Sequence, residues 1–139
     1  MADSTSHHVG ITVRDLDRTV EFYRTVFDLD VVAEFDVSGE AFETGVDIDT
    51  ASARFAHLDA GSTRLEVVEY EPAGDPSELP RLNDQGATHL GLEVDDLDRF
   101  YADLPSTVET LSPPQTTETG TRILFVRDPE ENLIEVLEL

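Results

Sequence analysis

At 139 residues and 15.4 kDa the chain is the length of one domain, and its 40 Leu, Ile, Val and Phe residues are enough for a packed core. Its 31 acidic and 9 basic residues, every base an Arg, leave a formal charge of −22, which excludes nucleic acid and anionic membranes as partners and reads as adaptation to concentrated salt. The absence of Cys excludes disulfides and thiolate chemistry, and a polar N-terminal segment with no apolar run near ~20 residues reads as a cytoplasmic globular domain.

In chain order, Val9, Ile11 and Val13 alternate with His8, Gly10 and Thr12, the period of two that predicts a strand. Asp15 then caps a predicted helix in which Leu16, Val20, Tyr23 and Phe27 form one apolar stripe. Val31–Phe35, Arg54–Asp59 and Arg64–Tyr70 follow as strands, the last two joined by a turn at Gly61-Ser62. Asp36–Ser52 reads as a loop, and residues 71–87, with three Pro, as a connector. Leu90, Leu92 and Val94 then alternate with His89, Gly91 and Glu93, and Asp96 caps a short helix from Leu97 to Leu104 that stops before Pro105. A weak strand at Val108–Leu111, a loop at Ser112–Gly120, and strands at Arg122–Arg127 and Leu133–Leu139 complete the chain.

The second half repeats the first. His8–Arg18 recurs as His89–Arg99 with seven of eleven residues identical, and Leu65-Glu66-Val67-Val68-Glu69-Tyr70 is echoed by Ile134-Glu135-Val136-Leu137-Glu138-Leu139. The chain is thus expected to hold two modules, residues 8–70 and 88–139, each a strand, a helix and three strands. The apolar side of each opening strand must bury against its helix, so His8 and His89 take the other face. Leu65 and Val67, like Ile134 and Val136, turn to the helix and place Glu66 and Glu135 on the face of the histidines. Modules related by a pseudo-twofold would bring His8, Glu66, His89 and Glu135 together. Two imidazoles and two carboxylates suit zinc, nickel, cobalt, iron or manganese, and a cation offsets the cost of sheltering two carboxylates. His7 is expected to point to the opposite face as a solvated neighbour, and His57 reads as a structural histidine in mid-strand. Arg64 and Arg122 are expected to face the cavity or its rim, where either a substrate carboxylate or a surface acid would partner them.

These segments resemble the vicinal oxygen chelate superfamily, which holds glyoxalase I, methylmalonyl-CoA epimerase, extradiol dioxygenases and bleomycin-resistance proteins. The matching stretches are His8-Val9-Gly10-Ile11 with Asp15-Leu16 and Phe22-Tyr23, Leu65-Glu66-Val67, His89 to Leu97, and Asp128-Pro129 with Asn132-Leu133-Ile134-Glu135. The resemblance implies an α+β fold of paired βαβββ modules in a U-shaped mixed sheet around one divalent ion, in a homodimer. It implies His8, Glu66, His89 and Glu135 as the metal positions, with Glu135, or Glu66 by the pseudo-symmetry, as the catalytic base. The implied activity is a glyoxalase-like lyase or isomerase that chelates neighbouring oxygens of a small-molecule substrate and moves a proton beside a carbonyl. Three alternatives accompany it: an Fe(II) extradiol-type dioxygenase needing only His8, His89 and Glu135, a methylmalonyl-CoA epimerase-like enzyme, and a non-catalytic resistance-type binder. The Asp128-Pro129 turn is closer to the glyoxalase and dioxygenase groups than to the acyl-CoA epimerases. Asp28 and Glu131 depart from the pattern by standing where the family usually has Gly, and the turn at Glu131 is expected to be reshaped.

Overall fold

The computed structural model describes residues 2–76, 78 and 80–139, and the chain divides into two units after Pro76. The expected connector over 71–87 includes Ser77 and Leu79, which lie outside the described residues. In the first unit, β1 (His8–Thr12), α1 (Leu16–Phe27), β2 (Val31–Ser38), α2 (Glu40–Val46), β3 (Ser52–Asp59) and β4 (Arg64–Glu71) follow in order. The second contains β5 (Leu90–Glu93), α3 (Leu97–Asp103), β6 (Gln115–Thr116), β7 (Arg122–Arg127) and β8 (Leu133–Glu138). Each unit folds its strands into a four-stranded mixed sheet, ordered β1-β4-β3-β2 in the first and β5-β8-β7-β6 in the second. In both, the opening strand runs parallel to the closing strand, while the remaining neighbours are antiparallel. Among the described residues no helix is long and apolar enough to cross a membrane.

The repeat reappears in how the helices begin. The Asp15 carboxylate accepts from Arg18 N at 3.0 Å and that of Asp96 from Arg99 N at 3.0 Å, each satisfying an N–H that the helix leaves free. Leu16 N donates to Glu69 Oε2 at 2.8 Å, and Leu97 N donates to Glu138 Oε1 at 3.1 Å. A glutamate on each closing strand therefore ties the sheet to its helix and places a negative charge at the positive end of the helix dipole. Removing it by Glu69→Ala is expected to cost about 1–2 kcal/mol, read as a lower urea midpoint. An unchanged midpoint would reduce this contact to a surface pairing.

These contacts also identify the faces. The side of β4 that carries Leu65, Val67 and Glu69 is the helix side, and there Leu16, Val20 and Tyr23 of α1 are buried with Ala56, Leu58, Leu65 and Val67. In the second unit Leu97, Leu124, Val126, Ile134 and Val136 form the equivalent core. The opposite face of each sheet carries the histidine and glutamate residues of interest, in the first unit beside an apolar cluster of Ala53, Phe55 and Val68.

Two segments expected as loops contain regular structure. β2 continues to Ser38, and Glu40–Val46 is the helix α2. Gly39, at φ +104°, turns the chain into that helix, Glu40 and Glu43 occupy its first turn, and Phe42 packs on Phe55 and Tyr70 of the sheet. In the second unit Gln115 and Thr116 pair with Ile123 and Arg122 inside the expected loop at Ser112–Gly120. The strand expected at Val108–Leu111 is reduced to one bridge, Thr110 with Val126. Pro113 and Pro114 follow at once, and a residue without an N–H cannot carry a ladder onward.

Asp28 and Glu131, which depart from the pattern, both take up the left-handed backbone that glycine favours. Asp28 sits in the left-handed region at φ 56° as the cap of α1, and Glu131 reaches φ 68° while its N–H donates to Asp128 O at 2.9 Å. The Asp128 side chain imposes that turn by accepting from the backbone N–H groups of Glu130 and Asn132. Glutamate has no local hydrogen bond to repay the crowding of Cβ there, so Glu131→Gly is expected to stabilise the protein by about 0.5–1 kcal/mol in urea unfolding. A lower midpoint would mean that the Glu131 side chain holds the turn.

Candidate metal centre

The first unit gathers two imidazoles at one carboxylate, with a third imidazole beside them. Glu66 lies on β4 with only 13% of its side chain exposed, and the antiparallel register places His57 of β3 directly opposite. His57 Nε2 is 2.6 Å from Glu66 Oε2, and His8 Nε2 of β1 is 3.6 Å from the same oxygen. One ligand atom from each of His8, His57 and Glu66 lies within 4.8 Å of the others. On the far side of the His57 ring, Arg64 Nη1 approaches Nδ1 at 3.4 Å. His7 joins the group: its Nδ1 is 2.8 Å from His8 Nδ1, and its ring stands edge-on to His57 with centroids 5.9 Å apart.

The second unit has a sparser version. His89, just before β5, places Nε2 3.2 Å from Glu135 Oε2 of β8. The residue opposite Glu135 on the neighbouring strand is Phe125, whose ring meets His89 edge-on at 5.3 Å. The repeat therefore delivers a histidine and a glutamate as a contacting pair in each unit, while the position of His57 is apolar in the second.

Beside the imidazoles the first sheet carries an aromatic surface. Phe35 stacks on Phe55 at 5.0 Å and meets His57 edge-on at 5.3 Å. Phe42 from α2 and Tyr70 extend it, stacked on each other at 6.1 Å over the core of Ala53, Phe55 and Val68. Phe35 remains 41% exposed, so an aromatic face is open to solvent next to the histidines.

Several expectations for single residues change. His7 belongs to the imidazole cluster and not to the opposite face, because it lies before the regular strand begins and escapes the alternation. His57 is buried, as a structural histidine would be, yet it is bonded to the candidate ligand Glu66. The signal for it was available: a tight turn at Gly61-Ser62 puts His57 across from Glu66. Arg122 does not share the face of Glu135. It shares the helix side with Leu124 and Val126, and pairs with Asp98 of α3 at 2.7 Å. Arg64 does share the face of Glu66, two residues along the same strand.

Imidazole nitrogens and carboxylate oxygens at these separations form a donor set suited to a borderline divalent ion, of the kind that zinc, nickel, cobalt, iron and manganese provide. Residues 5–136 match the profile of the Glyoxalase/Bleomycin resistance protein/Dioxygenase superfamily. The chain belongs to that superfamily. Among curated proteins, it is 37% identical over 120 residues to a 2-epi-5-epi-valiolone epimerase from Actinomyces sp, a match covering 82% of this chain and 66% of that protein. The chain thus spans just under two thirds of the length of that relative. Among solved structures, a glyoxalase family protein from Bacillus cereus has a TM-score of 0.87 at 20% identity, covering 99% of this chain and 95% of the other. The trypanothione-dependent glyoxalase I of Leishmania major has a TM-score of 0.70 at 25% identity, covering 98% and 87%. The superfamily accounts for the order of strand, helix and strands repeated in the two units.

Proposed function

We propose that the chain is a divalent-metal-dependent isomerase of the epimerase type, inverting a carbon beside the carbonyl of a small ketone that carries a neighbouring oxygen. The observation that carries this reading is a histidine in contact with a glutamate at repeat-related positions of both units. The similarity to a 2-epi-5-epi-valiolone epimerase favours isomerase over lyase chemistry. We propose His8, Glu66, His89 and Glu135 as the residues that hold the ion. Bound there, it would draw charge from the carbonyl oxygen and so acidify the neighbouring C–H.

The remaining work falls to the side chains. An epimerase removes a proton from one face of a carbon and returns it to the other, which calls for acid–base groups and not for a nucleophile. Glu135 is assigned the abstraction, and Glu66 is the second carboxylate. Phe35 and Phe55 offer an apolar surface on which the C–H face of a ring can lie, excluding water from one side of the reacting carbon. The working unit is proposed to be a homodimer, to be read by light scattering against the chain mass of 15.4 kDa.

The test is incubation of the metal-loaded protein with 2-epi-5-epi-valiolone in deuterated water, followed by proton NMR. Loss of one signal beside the carbonyl, with a second diastereomer accumulating, is the expected result. No exchange with this or related hydroxyketones would overturn the reading. A second reading, an iron-dependent dioxygenase, is favoured by His8, His57 and Glu66, which supply two imidazoles and one carboxylate within one unit. Activity that requires oxygen and iron would select it.

A further inference from the structure

The two glutamates differ in what stands behind them. Glu66 faces His57, and His57 in turn faces Arg64. At the matching positions Glu135 faces Phe125, and Leu133 occupies the place of Arg64 two residues before the glutamate. The repeat shares the histidine–glutamate pairs but not this polar chain.

The order of hydrogens along the chain follows from what each group can do. A guanidinium only donates, so where Arg64 meets His57 the Nδ1 atom must accept. The hydrogen of the imidazole then sits on Nε2, which points at Glu66 Oε2 from 2.6 Å, and a carboxylate accepts it. His57 has little freedom to turn away, being 4% exposed and wedged against Phe35. An Nε2 atom that carries a hydrogen has no lone pair for a metal. The same bond aims one Glu66 oxygen and restrains its rotation.

We propose that Arg64 and His57 are positioning residues for Glu66: Arg64 sets the tautomer of His57, and His57 holds the carboxylate in the orientation from which it ligates. Glu66 is thereby the fixed carboxylate, whereas Glu135, which meets His89 at 3.2 Å and has Phe125 opposite it, has no such polar chain behind it among the described residues. This rests on the proposed function only in giving Glu66 a metal to hold. Partners behind a ligand tune affinity by about 10–100-fold, which sets the size of the expected effect.

The experiment has two readouts on the purified full chain. Long-range proton–nitrogen correlation spectra recorded without metal report the tautomer directly, with His57→Gln used to assign the ring. The expected spectrum has the His57 hydrogen on Nε2, and Arg64→Leu shifts the ring towards a mixture of tautomers. A hydrogen on Nδ1 in the parent protein would overturn the proposal. Zn(II) affinity is then measured by chelator competition. His57→Phe, which copies Phe125, is expected to bind about 10–100-fold more weakly. His57→Gln, whose amide N–H can still reach the carboxylate, recovers most of that loss, and Arg64→Leu, at an exposed position that does not threaten folding, loses affinity in the same direction. Unchanged affinity in both His57→Phe and Arg64→Leu would make His57 a packing residue. Loss in His57→Gln as deep as in His57→Phe would make it a metal ligand, and either result overturns the proposal. Because the tautomer is read without metal, a chain that took up no Zn(II) would fail the proposed function alone.

Discussion

Replacing Glu135 by Gln is expected to remove almost all proton exchange at the substrate carbon while leaving the fold and the metal content near those of the parent. The substitution keeps the length and shape of the side chain, and the amide oxygen retains a lone pair for a metal or for the His89 N–H. What it loses is the ability to take a proton at neutral pH. General acid–base contributions run to roughly 10²–10⁴-fold in rate, so kcat should fall by about that factor with a much smaller change in KM. Glu135 is half-buried on a strand whose alternate residues, Ile134 and Val136, are fully packed, so its backbone position is secured without the carboxylate. Solvent-deuterium incorporation measured with elemental analysis on the same sample separates the effects. Undiminished exchange would move the base to Glu66. Full loss in Glu66→Gln beside partial loss in Glu135→Gln would do the same.

His89→Ala is expected to fail in a different way, by losing metal. Glu135 would keep its carboxylate, but the imidazole 3.2 Å away would be gone, and alanine offers no donor. Stability should change little, because His89 lies outside the regular strand and is partly exposed. The expected result is a fall in bound metal from near one per chain to a small fraction, with activity falling in proportion and partly recovering at high metal concentration. Retention of full metal occupancy would remove His89 from the donor set. The contrast between the two substitutions is the informative result: one loses proton transfer with metal in place, the other loses metal first.

The repeat and the faces of its strands were legible in the sequence because both are local properties. An alternation of two along His8–Val13 and His89–Val94 determines which side chains share a face, although Val9 stays 46% exposed and the closing strands, through Leu65, Val67, Ile134 and Val136, supply the apolar residues that are fully buried. That parity puts His8 and Glu66, and His89 and Glu135, on one face, and the parallel pairing of β1 with β4 and of β5 with β8 brings each pair together. Arg122 shows the limit of the same logic: its strand lies where periodicity expects it, but the side chain shares the helix side with Leu124 and Val126 and pairs with Asp98 of α3.

Other features required tertiary contacts. α2 has only seven residues, with Phe42 and Val46 as its large apolar side chains; Phe42 seated on Phe55 and Tyr70 decides its place, and those partners come from two different strands. β6 exists because two residues meet β7, a pairing that nothing in Gln115-Thr116 announces. His57 shows the division most clearly. Its residue type and strand were plain in the sequence, but its role depends on burial beside Phe35, on register opposite Glu66, and on Arg64 reaching its far nitrogen. Periodicity specifies a face; register across strands and the partners at both ends of a ring specify a hydrogen-bond chain, and only the folded sheet brings those together.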